Sequence, residues 1–261
     1  MPSDLVLILA VAGVAAVASP VGGAVALWRQ PTSLVMSLAL GFASGVLLAT
    51  IGFEMMPQAL ELSSLGAAAA GFVLGFGAVY GFDLFIHRGA VAGEKAEQHG
   101  AVVRFHRRHR PRGDQVTVLA GGTSAEELIE GLSIGVGAAI KPGLGLLIAI
   151  AIVIDNFAEA LSIGELTWDR QQGERRPLRR VLTWTGLIGV SLFSSALAGW
   201  FFLRGLPQPV LGTLFAAGGG GMFYLTVTDL LPEAEERHYQ QSAALAVGTG
   251  FMTIFVLGRL F

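Results

Sequence analysis

Two acidic segments at helical spacing hold the side chains of this chain that could do chemistry. Residues four apart on a helix lie on one face, so each segment would present two carboxylates one turn apart. Carboxylate and amide groups supply only oxygen ligands, which suit hard divalent cations. The sequence therefore predicts a cation site made by both segments. Its candidate ligands are Glu126, Glu127, Glu130, Asp155, Asn156 and Glu159.

The surroundings of these segments indicate a lipid bilayer. Hydrophobic residues make up 53% of the chain and charged residues only 14%, whereas a soluble domain is about one quarter charged. An ionised side chain at membrane depth costs several kcal/mol unless it faces water, a partner or a bound cation. Five acids in two adjacent apolar runs therefore need a functional explanation, and a cation path is the leading one.

The elements that must position these acids are membrane-spanning helices. With about 20 apolar residues needed for each crossing, the chain has room for eight spans and no separate soluble domain. We predict an all-α polytopic membrane protein, a single transporter domain over residues 1–261 with a polar loop at about 87–115. The expected spans are Leu5–Leu27, Ser33–Met56, Leu65–Ile86, Val116–Ile140, Leu144–Leu166, Val181–Leu203, Val210–Leu231 and Ala243–Phe261.

The distribution of Lys and Arg predicts the orientation. Alternate connections between the spans carry fourteen of the 17 basic residues, and the opposite side carries only Lys141, Arg204 and Arg259. Because basic residues are retained on the cytoplasmic side, both termini are expected outside. The turn at Lys141 is so short that the fourth and fifth spans must be antiparallel neighbours, which brings the two acidic segments together.

Like charges this close repel, so either a divalent cation bridges them or some carry protons. Three explanations stay open at this stage: a metal path, a proton-coupled carrier of another small cation, and a purely structural membrane protein. Catalysis is disfavoured, because there is no His-Glu-x-x-His motif and no histidine lies deep in a span. The arginine-rich loop has no aromatic pattern for nucleic acid, so no nucleic-acid partner is expected.

The motifs themselves resemble those of the Zrt/Irt-like (ZIP) divalent metal transporters, whose bacterial members carry His-Asn-x-Pro-Glu-Gly in the fourth and fifth helices. Here residues 126–131 read Glu-Glu-Leu-Ile-Glu-Gly and residues 155–160 read Asp-Asn-Phe-Ala-Glu-Ala. Residues 54–59 (Glu-Met-Met-Pro-Gln-Ala) and 229–234 (Asp-Leu-Leu-Pro-Glu-Ala) match further segments of that family and each other. The likeness extends over nearly the whole chain.

By this resemblance, metal binds between the fourth and fifth helices and moves toward the cytoplasm, in a multi-pass protein of the cell (inner) membrane that often forms a homodimer. Glu130 and Glu159 match the motif glutamates and Asn156 matches the asparagine. The remaining candidates depart from the family: Glu126 and Asp155 stand where histidines are usual. Further departures are Glu127 at an asparagine position, Ile129 and Ala158 at the motif prolines, and Ser194 or Ser195 near a usual sixth-helix glutamate.

These departures leave an all-oxygen ligand set. Zinc favours imidazole and thiolate, whereas carboxylates and amides suit Mn²⁺ or Fe²⁺. We therefore expect manganese or iron to rank slightly above zinc, with the metal as substrate and no prosthetic group. A repurposed family member that does not transport is a further alternative.

Two secondary sites are also predicted. In the cytoplasmic loop, His99, His106 and His109 would capture the metal after its passage, although the arginines around them favour a solvated tether that touches membrane lipid. Glu54 and Asp229 each lie three residues before a proline. Both are expected near the cytoplasmic end of their spans, where they would either form part of the exit path or cap the edge of the membrane.

Overall fold

The computed structural model describes residues 2–86, 115–169, 177–236 and 239–260. All long elements in these ranges are helices, which confirms the predicted all-α fold. The loop histidines His99, His106 and His109 lie outside the described residues. The helices are α1 (Pro2–Trp28), α2 (Ser33–Ala49, Thr50–Met55 and Met56–Leu62), α3 (Leu65–Ile86), α4 (Gln115–Ile140), α5 (Pro142–Asp169), α6 (Pro177–Ala198 and Gly199–Leu203), α7 (Gln208–Leu225, Thr226–Leu230 and Leu231–Glu236) and α8 (Gln240–Leu257).

Seven of these helices are long and apolar enough to cross a membrane, among the described residues. The eighth, α4, carries Glu126, Glu127 and Glu130 and is not among the seven. It packs against α5, α6 and α7, so protein surrounds much of its surface. The acids of α4 therefore do not have to face lipid, which is how a helix with three glutamates is accommodated at this depth.

Glycines join the helices into four parallel pairs: α1 with α5, α2 with α8, α3 with α7, and α4 with α6. In these pairs a Cβ atom at Gly22, Gly45, Gly75 or Gly131 would lie closer than 3.0 Å to a backbone oxygen of the partner helix. Only a residue without a side chain permits this approach, as in other membrane helix pairs. Part of the abundance of glycine, 36 residues in all, thus serves helix packing.

The four consecutive glycines of α7 let this helix contact three neighbours. Gly218 lies against Ser133 of α4, Gly219 faces Ile51 of α2, and Gly220 contacts the backbone of Phe72 in α3. Packing rather than a break in the helix is therefore their structural role, since α7 continues through them.

α2 and α7 each contain a π-helical stretch just before a proline. Pro57 and Pro232 have no N–H group, so the helix must change its hydrogen-bond register near them. The N–H groups of Met56 and Leu231 each donate to the carbonyl five residues earlier, of Ile51 and Thr226. Both helices also continue beyond the predicted ends of their spans at Met56 and Leu231. The similar motifs of α2 and α7 therefore correspond to similar local structures.

Candidate metal-binding site

The antiparallel hairpin of α4 and α5 brings the two acidic segments together. The helices are joined at Lys141, and next to this turn they approach closely: a Cβ atom at Gly145 would lie 2.6 Å from the Cα of Ala138, and one at Gly137 would lie 2.7 Å from Ile148 Cδ1. Continuing from this contact, the antiparallel register places residues 126–130 beside residues 155–159. The two acidic segments therefore lie side by side, as the short turn predicted.

Glu127 and Asn156 form the first pair across the hairpin. Asn156 Nδ2 donates a hydrogen bond to Glu127 Oε2 over 3.2 Å, and each residue is only 1% exposed. Because the amide is neutral, it leaves the charge of the Glu127 carboxylate unchanged, but its hydrogen bond fixes the orientation of that carboxylate. One Glu127 oxygen and the Asn156 oxygen remain for another ligand.

Glu130 and Asp155 form the second pair. Their carboxyl groups lie close enough to interact electrostatically, and both are buried, at 5% and 2% exposure. Two carboxylates this close repel each other unless one carries a proton or a cation lies between them. The pair is therefore a natural position at which a metal ion and a proton would compete.

Each of these four residues has one buried oxygen without a hydrogen-bond partner. A buried oxygen that lacks a donor costs free energy, so such atoms in a folded protein point to a missing ligand. The four atoms are Glu127 Oε1, Glu130 Oε2, Asp155 Oδ1 and Asn156 Oδ1. They are hard oxygen donors of the type that binds Mn²⁺ or Fe²⁺.

Glu126 and Glu159 are placed differently from these four. Both are only partly buried, and both feel the charge of Asp229 in α7. Glu159 also feels Glu233, and Glu126 also feels Asp83 of α3. The six predicted ligands thus divide into four that share the buried centre and two that extend from it toward acids of α3 and α7.

The described side chains contain no group of three His, Cys, Asp or Glu residues already arranged to hold a metal ion. The acids of the hairpin are instead held in pairs. Binding an ion with three or more ligands from this set requires side-chain rotation, with the Asn156 amide or water completing the shell.

The expectation that Glu54 and Asp229 share one end of the protein is wrong, because α2 and α7 are antiparallel. Gly212 near the start of α7 packs against Ala59 near the end of α2, while Ser37 near the start of α2 donates to the carbonyl of Ala234, 2.7 Å away, near the end of α7. Glu54 consequently lies at the end that carries Gly258 and the charges of Arg259 and Lys141.

Under the charge-based orientation, that end faces outward. Glu54 would then belong to the entrance, and only Asp229 would belong to the exit. The likeness of the two proline motifs did not reveal that Glu54 and Asp229 lie at opposite ends. The same motif points toward opposite ends of the protein when its two helices are antiparallel.

Four polar residues near the candidate site were not among the ligands predicted from the sequence. Tyr224 donates to Asp83 Oδ2 over 2.7 Å, and Ser162 donates to Glu233 Oε1 over 2.9 Å. Asp83 was detectable as a lone acid within an apolar window. Tyr224 and Glu233 carried no such signal, since aromatic residues and acids are ordinary near the ends of spans.

Ser195 supports the site from α6. Its hydroxyl lies 3.0 Å from the carbonyl oxygen of Glu127 and 3.0 Å from that of Leu192 in its own helix, and the residue is 5% exposed. Ser194, the other residue considered for the missing glutamate, is exposed and donates to its own helix at Val190. Of these two serines, Ser195 is therefore the one that links α6 to the backbone of α4 at Glu127.

Ser195→Ala is expected to weaken metal binding by about tenfold, the lower range for loss of a residue that orients a metal ligand. The reason is that the Glu127 backbone loses its contact with α6 and its side chain loses a fixed direction. Ser194→Ala is the matched control and should change nothing, because its hydroxyl serves only its own helix. Equal metal affinities of the two variants, measured by titration of purified protein, would contradict this role.

Comparison with known proteins gives a consistent result. A family model described as ZIP zinc transporter matches residues 92–258, more than half of the chain. The zinc transporter ZupT of Corynebacterium glutamicum is 29% identical over 260 residues, which cover 93% of this chain and 95% of that protein. The ZupT of Escherichia fergusonii is 26% identical over 213 residues, covering 80% of this chain and 79% of that protein.

Proposed function

The chain belongs to the ZIP zinc transporter family, and from this premise we propose that it moves divalent metal cations toward the cytoplasm through the carboxylate-rich site between α4 and α5. Membership confirms the resemblance drawn from the motifs. It makes the chain a multi-pass membrane transporter of the cell membrane, and not an enzyme.

One observation supports placing the cation path between α4 and α5. Glu127, Glu130, Asp155 and Asn156 each offer a buried oxygen that no protein group satisfies, and all four lie on the facing segments of one hairpin. A cation supplies the positive charge that these oxygens lack. Since a transporter must bind its ion at membrane depth, this is the position that best fits the substrate.

Glu126 and Glu159 provide the next step of the path. Both are in electrostatic range of the buried acids and of Asp229, with Asp83 and Glu233 also in range. An ion leaving the centre would therefore stay near negative charge until it reached the end of α7. We infer that this direction leads to the cytoplasm, following the Lys and Arg distribution.

Proton exchange fits the same geometry. The Glu130 and Asp155 carboxyl groups lie close together, so either a proton or a cation would relieve their repulsion. Arrival of a metal ion would then displace a proton, and departure would let one return. The alternative of a proton-coupled carrier of another small cation uses the same pair. The family match and the hard, closely spaced oxygens favour a metal ion.

The proposed substrates are Mn²⁺ and Fe²⁺ above Zn²⁺, with no prosthetic group. The relatives named above are zinc transporters by name, and zinc also binds oxygen ligands. The ranking rests on the ligand set of this chain, in which Glu126 and Asp155 occupy positions where the family usually has histidine. Carboxylates favour harder ions than imidazole does.

Uptake of Mn²⁺, Fe²⁺, Zn²⁺ and Cd²⁺ into proteoliposomes tests the function and the ranking together. The native chain is expected to transport Mn²⁺ or Fe²⁺ best. The double variant Glu126→His, Asp155→His should raise the ratio of Zn²⁺ to Mn²⁺ uptake several-fold, because imidazole is a better ligand for zinc.

Glu61→His is the control for an added histidine, since Glu61 is an exposed acid at the end of α2. It should leave the ratio unchanged. Absence of native flux for all four ions would overturn the transport proposal and favour a repurposed family member. An unchanged ratio in the double variant would overturn the ranking.

A further inference from the structure

Ser19 of α1 has a buried hydroxyl without a partner. Among the described residues, five fully buried side-chain atoms lack a hydrogen bond, and four of them are the metal-site oxygens. The fifth is Ser19 Oγ, in a side chain that is 1% exposed. Buried hydroxyl groups in folded proteins normally have a partner, so this one needs an explanation.

Other buried hydroxyls described in this protein have a partner, either in their own helix or, as for Ser37, in another helix. Ser44 donates to the carbonyl of Leu40 over 2.7 Å, and Thr185 donates to that of Val181 over 2.8 Å. A helix offers every serine such a carbonyl one turn earlier. The hydroxyl of Ser19 does not take this option, and is therefore directed away from its own backbone.

The direction of Ser19 follows from its neighbours on α1. Gly22 contacts the backbone of Phe157 in α5, and Gly23 contacts Val181 in α6. Successive residues are 100° apart around a helix, so Ser19, one turn earlier, projects between these two directions. That direction leads into the interior enclosed by α5, α6 and α4, with which α1 is also in contact.

The level of Ser19 matches that of the metal site. α1 and α5 are parallel, with Gly22 against Phe157 and Ala160, and Gly164 against Gly23 and Ala26. Ser19, three residues before Gly22, therefore lies beside the turn of α5 that contains Asn156. The unpartnered hydroxyl and the Glu127–Asn156 pair occupy the same layer of the bundle.

We propose that α1 contributes a ligand to the metal path in addition to those of α4 and α5. The hydroxyl oxygen of Ser19 contacts the passing ion or its water beside Glu127 and Asn156. This inference rests on the proposed function. A neutral oxygen would complete a coordination shell without adding another negative charge to a centre that already holds several. It would also favour hard ions, in line with the all-oxygen set.

The absence of cysteine from the chain makes Ser19→Cys a unique thiol probe. When Cd²⁺ is added to purified Ser19→Cys protein, we expect the ultraviolet charge-transfer band of a cadmium–thiolate bond and protection of the thiol from maleimide. Ser44→Cys, equally buried but bonded to its own helix in the native chain, should show neither effect. Adding Asn156→Ala to Ser19→Cys should remove the band.

Transport by Ser19→Ala and Ser19→Thr gives an independent test. We expect Ser19→Ala to raise KM for Mn²⁺ by about tenfold, in the range seen when groups around a metal are removed, and Ser19→Thr to restore it because the oxygen returns. Ser44→Ala should leave KM unchanged. A native KM in Ser19→Ala, or no cadmium–thiolate band in Ser19→Cys, would overturn the role of Ser19.

The outcome for Ser19 is separable from that for the site as a whole. A native KM in Ser19→Ala together with metal flux in the native chain would leave the proposed function intact. Unchanged flux in a Glu130→Gln variant would instead overturn the α4–α5 site, whatever Ser19→Ala shows.

Discussion

Exchanging Glu130 for Gln and Asp155 for Asn together is expected to reduce metal uptake at least about 100-fold, above the range reported for groups that only support metal ligands. Each substitution keeps the shape of the side chain. It removes the charge, and it replaces one ligand oxygen by an NH₂ group that repels a cation. A path that depends on this pair cannot operate without it.

The same double variant should fold at least as well as the native chain. Burying a carboxylate costs free energy that a neutral amide of similar volume avoids, and amides can still hydrogen-bond to each other across the hairpin. We therefore expect an unchanged or higher melting temperature together with the loss of transport. This opposite effect on stability and flux separates a ligand role from a structural one.

Two measurements on one preparation test this expectation: uptake of Mn²⁺ and Zn²⁺ into proteoliposomes, and thermal unfolding in detergent. Glu235→Gln is the matched control, because Glu235 is an exposed acid near the end of α7, and it should retain native flux. Native flux in the Glu130→Gln, Asp155→Asn variant would mean that the ion does not pass between α4 and α5.

The second large effect concerns helix packing: Gly75→Val is expected to destabilise the fold by about 3 kcal/mol or more, the upper range for overpacking. A Cβ atom at Gly75 would overlap the carbonyl oxygen of Ala217 in α7. Backbone atoms cannot rotate away as a side chain can. The valine variant would therefore force α3 and α7 apart.

Gly77→Val is the control, two residues further along the same helix. A Cβ atom at Gly77 meets nothing within 4 Å, and the residue is exposed. Both substitutions make α3 more apolar by the same amount, so insertion into the membrane should be equal. We expect a lower melting temperature and reduced yield for Gly75→Val alone. Equal stability of the two variants would show that α3 and α7 are not packed through this glycine.

Several features of this protein were determined by the sequence itself. The length of each apolar run placed the helices, because a span must match the thickness of the bilayer. The short turn at Lys141 fixed α4 and α5 as antiparallel neighbours, and helical spacing placed their acids at one level. The six candidate ligands were predicted in this way, as was the all-oxygen character of the proposed site.

Tertiary structure decided which of those candidate ligands are fully buried and which are only partly buried. Spacing fixes the angles between residues on one helix, but the rotation of that helix against its neighbours depends on packing, here on glycines that allow close contact. That rotation buried Glu130 with Asp155 across the hairpin and left Glu126 and Glu159 on the way toward α7. The antiparallel packing of α2 and α7 likewise sent Glu54 and Asp229 to opposite ends.

The hydroxyl of Ser19 is the clearest example of a feature that the sequence alone does not reveal. A serine in an apolar helix is unremarkable in sequence, because it can bond to its own backbone wherever it lies. Only the contacts of Gly22 with α5 and Gly23 with α6 turn it toward the interior. The sequence therefore predicted the chemistry of the proposed metal path, and the packing of the helices determined which polar atoms face each other there.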